Sequence, residues 1–158
     1  MTEIWLTSFG CVALTLLAGG LLSEIGPWYF GLNVPRWKPP NWAFGPVWTT
    51  IGICAAVSAA LAWRAAEPGS QRRLILELFA VNAVLNVAWS LLFFKLRRPD
   101  WALIEVVPLW ASVLAPLILL WPIRHAASLL LIPYLLWVSI AATLNLSIVR
   151  LNAPFGRA

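Results

Sequence analysis

Apolar residues fall along this chain in five long runs, parted by short clusters of charge or proline. The runs cover about 5–22, 47–66, 74–96, 101–121 and 126–149. Each is close to the roughly 20 residues a helix needs to cross the hydrocarbon core of a bilayer. None shows the alternating pattern, in pieces of about 10 residues, that a membrane-spanning strand would carry. In lipid the backbone must satisfy its hydrogen bonds within its own segment, so the runs predict helices. The expected fold is an all-α integral membrane bundle of five transmembrane helices, in a single domain over 1–158.

The connections differ in character. The one at about 24–43 is long, whereas those at 67–71, 97–100 and 122–125 are short and favour antiparallel neighbours. Pro108, Pro116 and Pro133 fall inside runs, where each removes a helical hydrogen bond and predicts a kink. The stretch 37–48 packs three Trp, three Pro and a Phe into twelve residues. Pro39 and Pro40 stiffen it into an extended, aromatic-covered loop, with Pro46 in the first turn of the next helix. Such a segment either lids a cavity between helices or serves only as an anchor at the bilayer surface.

Composition strengthens the membrane reading. Of 158 residues, 61% are hydrophobic and only 11% are charged. A soluble core of this size cannot hide so much apolar surface. The net charge of +5 is explained by loop cations and calls for no nucleic acid. Arg64, Arg72, Arg73 and Arg124 lie on the N-terminal side, against Arg36, Lys38, Lys95, Arg97, Arg98, Arg150 and Arg157 on the other. That bias predicts the Trp/Pro loop and the C-terminus in the cytoplasm and the N-terminus outside. The first run lacks a basic leader and is kept as a mature span. Cys11 and Cys54 read as buried small hydrophobes, and His125 stands alone in a loop, so no disulfide or metal site is expected.

Candidate chemistry sits on the later runs. Asn82, Asn86, Trp89 and Phe93 share one helical face, flanked by Ser90. Two amides in a bilayer span need partners, so they either bond between helices or wall a ligand cavity. Tyr134, Trp137, Ala141, Leu144 and Asn145 fall near one face of the fifth run, with Ala141 making room beside Trp137. Trp48 lies one turn before Gly52, ahead of Ala55, Ala56 and Ala59. Each ring can be a knob against a small-residue seam. Three inward indoles together, Trp48, Trp89 and Trp137, suit a large planar ligand whose polar edge the amides could fix. Trp5, Trp28, Trp63, Trp101 and Trp121 sit at run ends as interface residues. Glu77 and Glu105 lie about one turn inside their runs, where snorkelling to the interface is expected rather than a proton relay. No nucleophile triad, phosphate loop or carboxylate pair is present, so no catalytic residue is assigned.

The chain resembles the TspO/MBR family of translocator and tryptophan-rich sensory proteins. The likeness is carried by Trp28-Tyr29, the spacing Trp37-x-Pro39-Pro40-x-Trp42-x-Phe44-x-Pro46-x-Trp48, Asn86-Val87-Ala88-Trp89, Trp101-Ala102-Leu103, and Pro133-Tyr134-Leu135-Leu136-Trp137 leading to Asn145 and Arg150. It implies a five-helix bundle, often a homodimer, with a pocket beneath the first loop. The ligands it implies are porphyrins such as protoporphyrin IX, isoquinoline carboxamide or benzodiazepine drugs, and sterols. By carry-over Trp48, Asn86, Trp89, Trp101, Trp137 and Ala141 would belong to the pocket, and Trp37, Pro40 and Trp42 to its lid. Some bacterial relatives promote light-dependent porphyrin breakdown, which would implicate Trp48 and Trp137. The family's sterol motif expects Tyr after the Asn, but Leu146 and Ser147 follow Asn145 here, which ranks porphyrin above sterol.

The resulting expectation is a receptor or transporter-like protein of a bacterial cell envelope. It would bind a porphyrin or another flat hydrophobic ligand, with no resident cofactor, in tetrapyrrole handling or stress sensing. A porphyrin-degrading enzyme and a membrane assembly partner, packing through Ala55/Ala59 or Ala80/Val84/Ala88, are the alternatives.

Overall fold

The computed structural model describes residues 2–155, so Arg157 of the charge count lies outside the described residues. It consists of helices α1 (Thr2–Leu22), α2 (Pro27–Phe30), α3 (Asn41–Ala65), α4 (Ser70–Ser90), α5 (Pro99–Leu119), α6 (His125–Leu129) and α7 (Ile132–Asn152). A π-helical turn, Leu91–Lys95, extends α4. Five segments are long and apolar enough to cross a membrane: α1, α3, α4 with its π turn, α5, and α6 with α7.

The boundaries differ from the sequence expectation where proline decides them. α3 begins at Asn41, directly after Pro40 in extended conformation (φ −62°, ψ 146°). Pro46 is thus inside the helix rather than in its first turn. The extended segment ends at the second proline because the Pro39-Pro40 pair holds Lys38 and Pro39 away from a helical shape, and the chain is free to coil from Asn41 on. Pro133 kinks nothing. It stands in the first turn of α7, where its missing N–H costs no bond, and the fifth crossing is broken instead at Leu130–Leu131 into α6 and α7. α5 runs unbroken through Pro108 and Pro116.

The crossings close into a ring in the order α1, α3, α7, α5, α4. Its core lies between α3, α5 and α7, where Ile51, Val106, Leu109, Val113, Trp137 and Val138 are buried. Lipid is as apolar as these side chains, so burial alone cannot select partners; hydrogen bonds and close backbone approach must. Asn145 bridges the Pro99 carbonyl and the Leu103 N–H, each at 3.0 Å, and locks α7 to the start of α5. Trp110 Nε1 donates to Ser139 Oγ at 2.9 Å between the same helices. Ser58 Oγ donates to the Ala127 carbonyl at 2.7 Å and ties α3 to α6.

α1 is held differently, by glycine. A Cβ at Gly52 would stand 2.6 Å from Leu16 Cδ1, and one at Gly19 3.3 Å from Ser90 Oγ. These absences of side chain let α1 approach α3 and α4. The helix is otherwise lightly covered, and Cys11 is exposed rather than buried, while Cys54 is half-buried. An apolar run places a Cys in lipid; it does not place it inside the bundle.

The connection between α1 and α3 is folded over the far end of the ring. Trp28, Tyr29 and Leu32 pack against the cluster of Phe93, Leu144 and Ile148. Asn152 of α7 clamps Asn33, accepting from its N–H and donating to its carbonyl, both at 2.8 Å. Lys95 pairs with Glu24 and holds that carboxyl below its ordinary range. Lys38 donates to Asn41 Oδ1 and lies over the Tyr29 and Phe44 rings, where burial lowers its pKa.

Candidate functional site

A cavity of about 500 Å³ lies between α1, α3 and α4, with Tyr134 of α7 at its inner end. That volume falls in the usual range for small-molecule sites, roughly 300–1,000 Å³. Its depth follows from helix geometry. Trp48 and Asn86 mark a level within the bilayer, and Glu3 and Trp63 mark the mouth on the N-terminal side.

The inner end is polar and aromatic. Asn86 is buried and donates through Nδ2 to the Tyr134 hydroxyl at 2.8 Å. Asn82 donates to Ser112 Oγ at 2.9 Å, and the Ser112 hydroxyl donates in turn to the Leu109 carbonyl at 2.7 Å. Both amides therefore bond between helices while also lining the cavity, so the two readings open at the sequence level coexist. The Trp48 ring meets Tyr134 edge-on, with centroids 6.0 Å apart at 75°. Such contacts fix the indole plane as one wall of a slot.

The walls are mostly apolar: Ile51, Gly52 and Ala55 from α3, and Ile75, Phe79 and Ala83 from α4. α1 adds Glu3, Thr7, Cys11 and Thr15, spaced by four so that they share a face. Thr15 Oγ1 turns back to the Cys11 carbonyl at 2.9 Å, which satisfies it inside its own helix. One turn before Ile75, outside the cavity lining, the Arg72 guanidinium lies 5.3 Å from the centroid of the Trp63 ring. Arg72 Nε is buried and has no hydrogen-bond partner. Its neighbour Arg73 turns away to Glu77, at 2.7 Å.

Of the residues singled out from the sequence, Trp48, Asn82 and Asn86 line this cavity. Trp137 is buried in the core, edge-on to Phe44 at 5.4 Å, and its far side borders a smaller groove of about 390 Å³ between α3 and α7. Trp89 is stacked on Phe93 (5.0 Å, 22°) and leaves its Nε1 buried without a partner. The three indoles do meet around one core cluster, and the cavity lies beside it, behind α1. Ala141 is half-buried and lines neither space. Trp101 lies under the Arg98 guanidinium at 4.1 Å, with an exposed ring. Trp37, Pro40 and Trp42 are exposed, and the loop that carries them closes the end of the ring remote from the cavity mouth. A lid reading of that loop has no contact with the principal cavity; its cover goes to α4 and α7.

Glu105 also departs from expectation. Both carboxyl oxygens are buried without a partner, so the side chain does not snorkel. The Asn82–Ser112 bond sets the α4–α5 register, and two turns along it Trp89 and Glu105 come level. Among the described residues no cluster of three or more His, Cys, Asp or Glu is placed to hold a metal. Sequence reading missed Trp63 and the α1 face. The signal was present in the repeat of Glu3, Thr7, Cys11 and Thr15, small or polar groups on one side of a helix otherwise turned to lipid.

The sequence profile of the TspO/MBR family matches residues 7–151. Protein CrtK of Rhodobacter capsulatus is 37% identical over 135 residues, 85% of this chain and 84% of that protein. Tryptophan-rich protein TspO of Chlorobaculum tepidum is 36% identical over 157 residues, 96% of this chain and 99% of that one. The translocator protein of Sus scrofa is 34% identical over 158 residues, covering 96% and 94%.

Proposed function

Because this chain belongs to the TspO/MBR family of multi-pass membrane proteins, we propose that it binds a flat, hydrophobic tetrapyrrole of the protoporphyrin IX type between α1, α3 and α4. It acts as a receptor or transporter-like protein in tetrapyrrole handling or stress sensing. The observation that carries this reading is the slot of Trp48, Tyr134, Asn82 and Asn86 at the inner end of an otherwise apolar cavity. An indole wall suits a planar ring, and the amides and the phenol supply the few placed polar groups that orient a ligand. The site lies between membrane-spanning helices, which favours a lipid-soluble ligand.

Titration of purified protein with protoporphyrin IX, followed by Trp fluorescence, tests the reading. Trp48→Phe should weaken binding about fivefold to tenfold, as expected for loss of one aromatic contact. Equal affinity in Trp48→Phe and Asn86→Ala would remove this cavity as the site. Haem and a sterol run in the same titration rank the ligand classes. Illumination of the complex tests porphyrin breakdown; Trp48 lines the cavity and Trp137 does not, so Trp48→Phe should slow bleaching more than Trp137→Phe. The loop-cation bias supports a cell-envelope protein with its N-terminus outside, and a homodimer is proposed on family resemblance alone.

A further inference from the structure

We infer that Arg72, one turn beyond the outermost α4 residue that lines the cavity, is the anion anchor for the carboxylate of the flat ligand proposed above. The inference rests on the cavity reading above and adds the chemical group recognised there. Ile75, Phe79, Asn82 and Asn86 line the cavity along one stripe of α4, and Arg72 is the next position of that stripe toward the N-terminal side. Arg73, one residue on, faces away and is neutralised by Glu77. Among the described residues Arg72 has no ion pair. Its guanidinium rests on the Trp63 ring that walls the cavity, and its Nε–H is buried with no acceptor. An indole face attracts a cation without using its hydrogen-bond donors, so stacking holds the guanidinium in place without consuming the Nε–H. A carboxylate is the group that uses such a planar fork. Glu3 lines the same mouth from α1 but forms no ion pair with Arg72, so the cation is not discharged by a fixed partner.

The ligand length follows. Asn82 and Arg72 are ten residues apart on α4, about 15 Å along the axis. A ligand held at its inner edge by the Asn82, Asn86 and Tyr134 groups therefore reaches Arg72 only if its acid hangs from the end of the ring system on a short flexible arm. A lipid phosphate at the bilayer surface offers the same anionic chemistry, so the test separates the two sources.

Protoporphyrin IX and its dimethyl ester share the ring and differ only in the acids. Their affinities are measured for the full-length protein in phospholipid-free detergent. The wild type should prefer the free acid about tenfold, the effect of one charge-assisted pair. Arg72→Gln should remove that preference and leave ester binding unchanged, which also shows that the variant is folded. Arg72→Lys should keep part of the preference, and Glu3→Gln should keep or enlarge it. Equal wild-type affinity for acid and ester, or equal weakening of both by Arg72→Gln, overturns the anchor. Absence of binding for both ligands in the wild type instead removes the cavity reading on which it rests. Titration is repeated after adding phosphatidylglycerol. Loss of the acid's preference there would assign the guanidinium to a lipid phosphate and overturn the inference.

Discussion

The α5–α7 seam and the α1 flank are made from equally apolar helices, yet one is closed and the other holds a cavity. Along the seam polar groups find partners on the opposite helix, as Asn145 does with Pro99 and Leu103, and Trp110 with Ser139. Val106, Leu109 and Val113 then pack without gaps against Trp137 and Val138. On α1 the polar groups turn inward to their own helix, as Thr15 does to Cys11 and Ser23 to Gly19. Only 6% of the α1 span is buried, against 33% of α3. Contact is made at glycine, where Gly52 admits Leu16 and Gly19 admits the Ser90 and Asn86 side chains. In lipid a helix joins its neighbours where hydrogen bonds or shape compel it, and elsewhere it stands off. The cavity lies where α1 is least covered.

The contrast can be broken on its closed side first. Trp137→Ala removes a buried indole from the seam, and should cost about 3–5 kcal/mol in unfolding measured in detergent. Ligand affinity of the folded fraction should change little, because Trp137 does not line the cavity. A large loss of affinity with little loss of stability would put the functional space in the core after all.

Gly52→Leu attacks the open side. Its side chain begins where Leu16 Cδ1 already stands, at 2.6 Å from the added Cβ, so α1 must move. Overpacking of this kind costs about 1–3 kcal/mol. Porphyrin binding should fall at least tenfold, more than stability suggests, as read by fluorescence titration beside thermal unfolding.

Glu105 sharpens the comparison because it is the exception within the closed half. Its oxygens are buried without partners. Glu105→Leu should stabilise the protein by about 1 kcal/mol, since an unmet polar group is removed from a dry site. A destabilised Glu105→Leu would reveal a structural role for the carboxyl.

The smallest effect concerns the loop. Lys95 holds the Glu24 carboxyl below its ordinary value of 4.5. A depressed carboxyl stabilises the fold above that value and loses its contribution as pH falls through the folded pKa. Protection of residues 24–35 against hydrogen exchange, corrected for the intrinsic rate, should therefore fall as pH drops below 4.5 in the wild type. In Glu24→Gln it should be reduced already at neutral pH and change less on acidification.

Much of this was legible in residues. Five crossings, short turns and the Trp48, Asn82 and Asn86 positions followed from hydropathy and helical spacing. Spacing turns Trp89 and Trp137 inward, and the structure puts both at the core cluster. Aromatic density leaves lid and anchor open for the Trp/Pro loop, because it says nothing about which end of a bundle is open; the loop's inner rings go to Phe93, Leu144 and Ile148. A kink at Pro133 is expected from sequence because the start of its helix is hidden in an unbroken apolar run.

The sequence alone determined that the chain crosses the membrane five times as helices, because each crossing is a local balance of side chains and backbone against lipid. Tertiary structure decided which helix is least covered and where the open space lies. That choice depends on large residues meeting small ones across distant segments, such as Leu16 with Gly52, and on polar partners such as Asn145 with Pro99 and Leu103. Hydropathy is blind to both, because a helix face turned to lipid and one turned to a neighbouring helix are equally apolar.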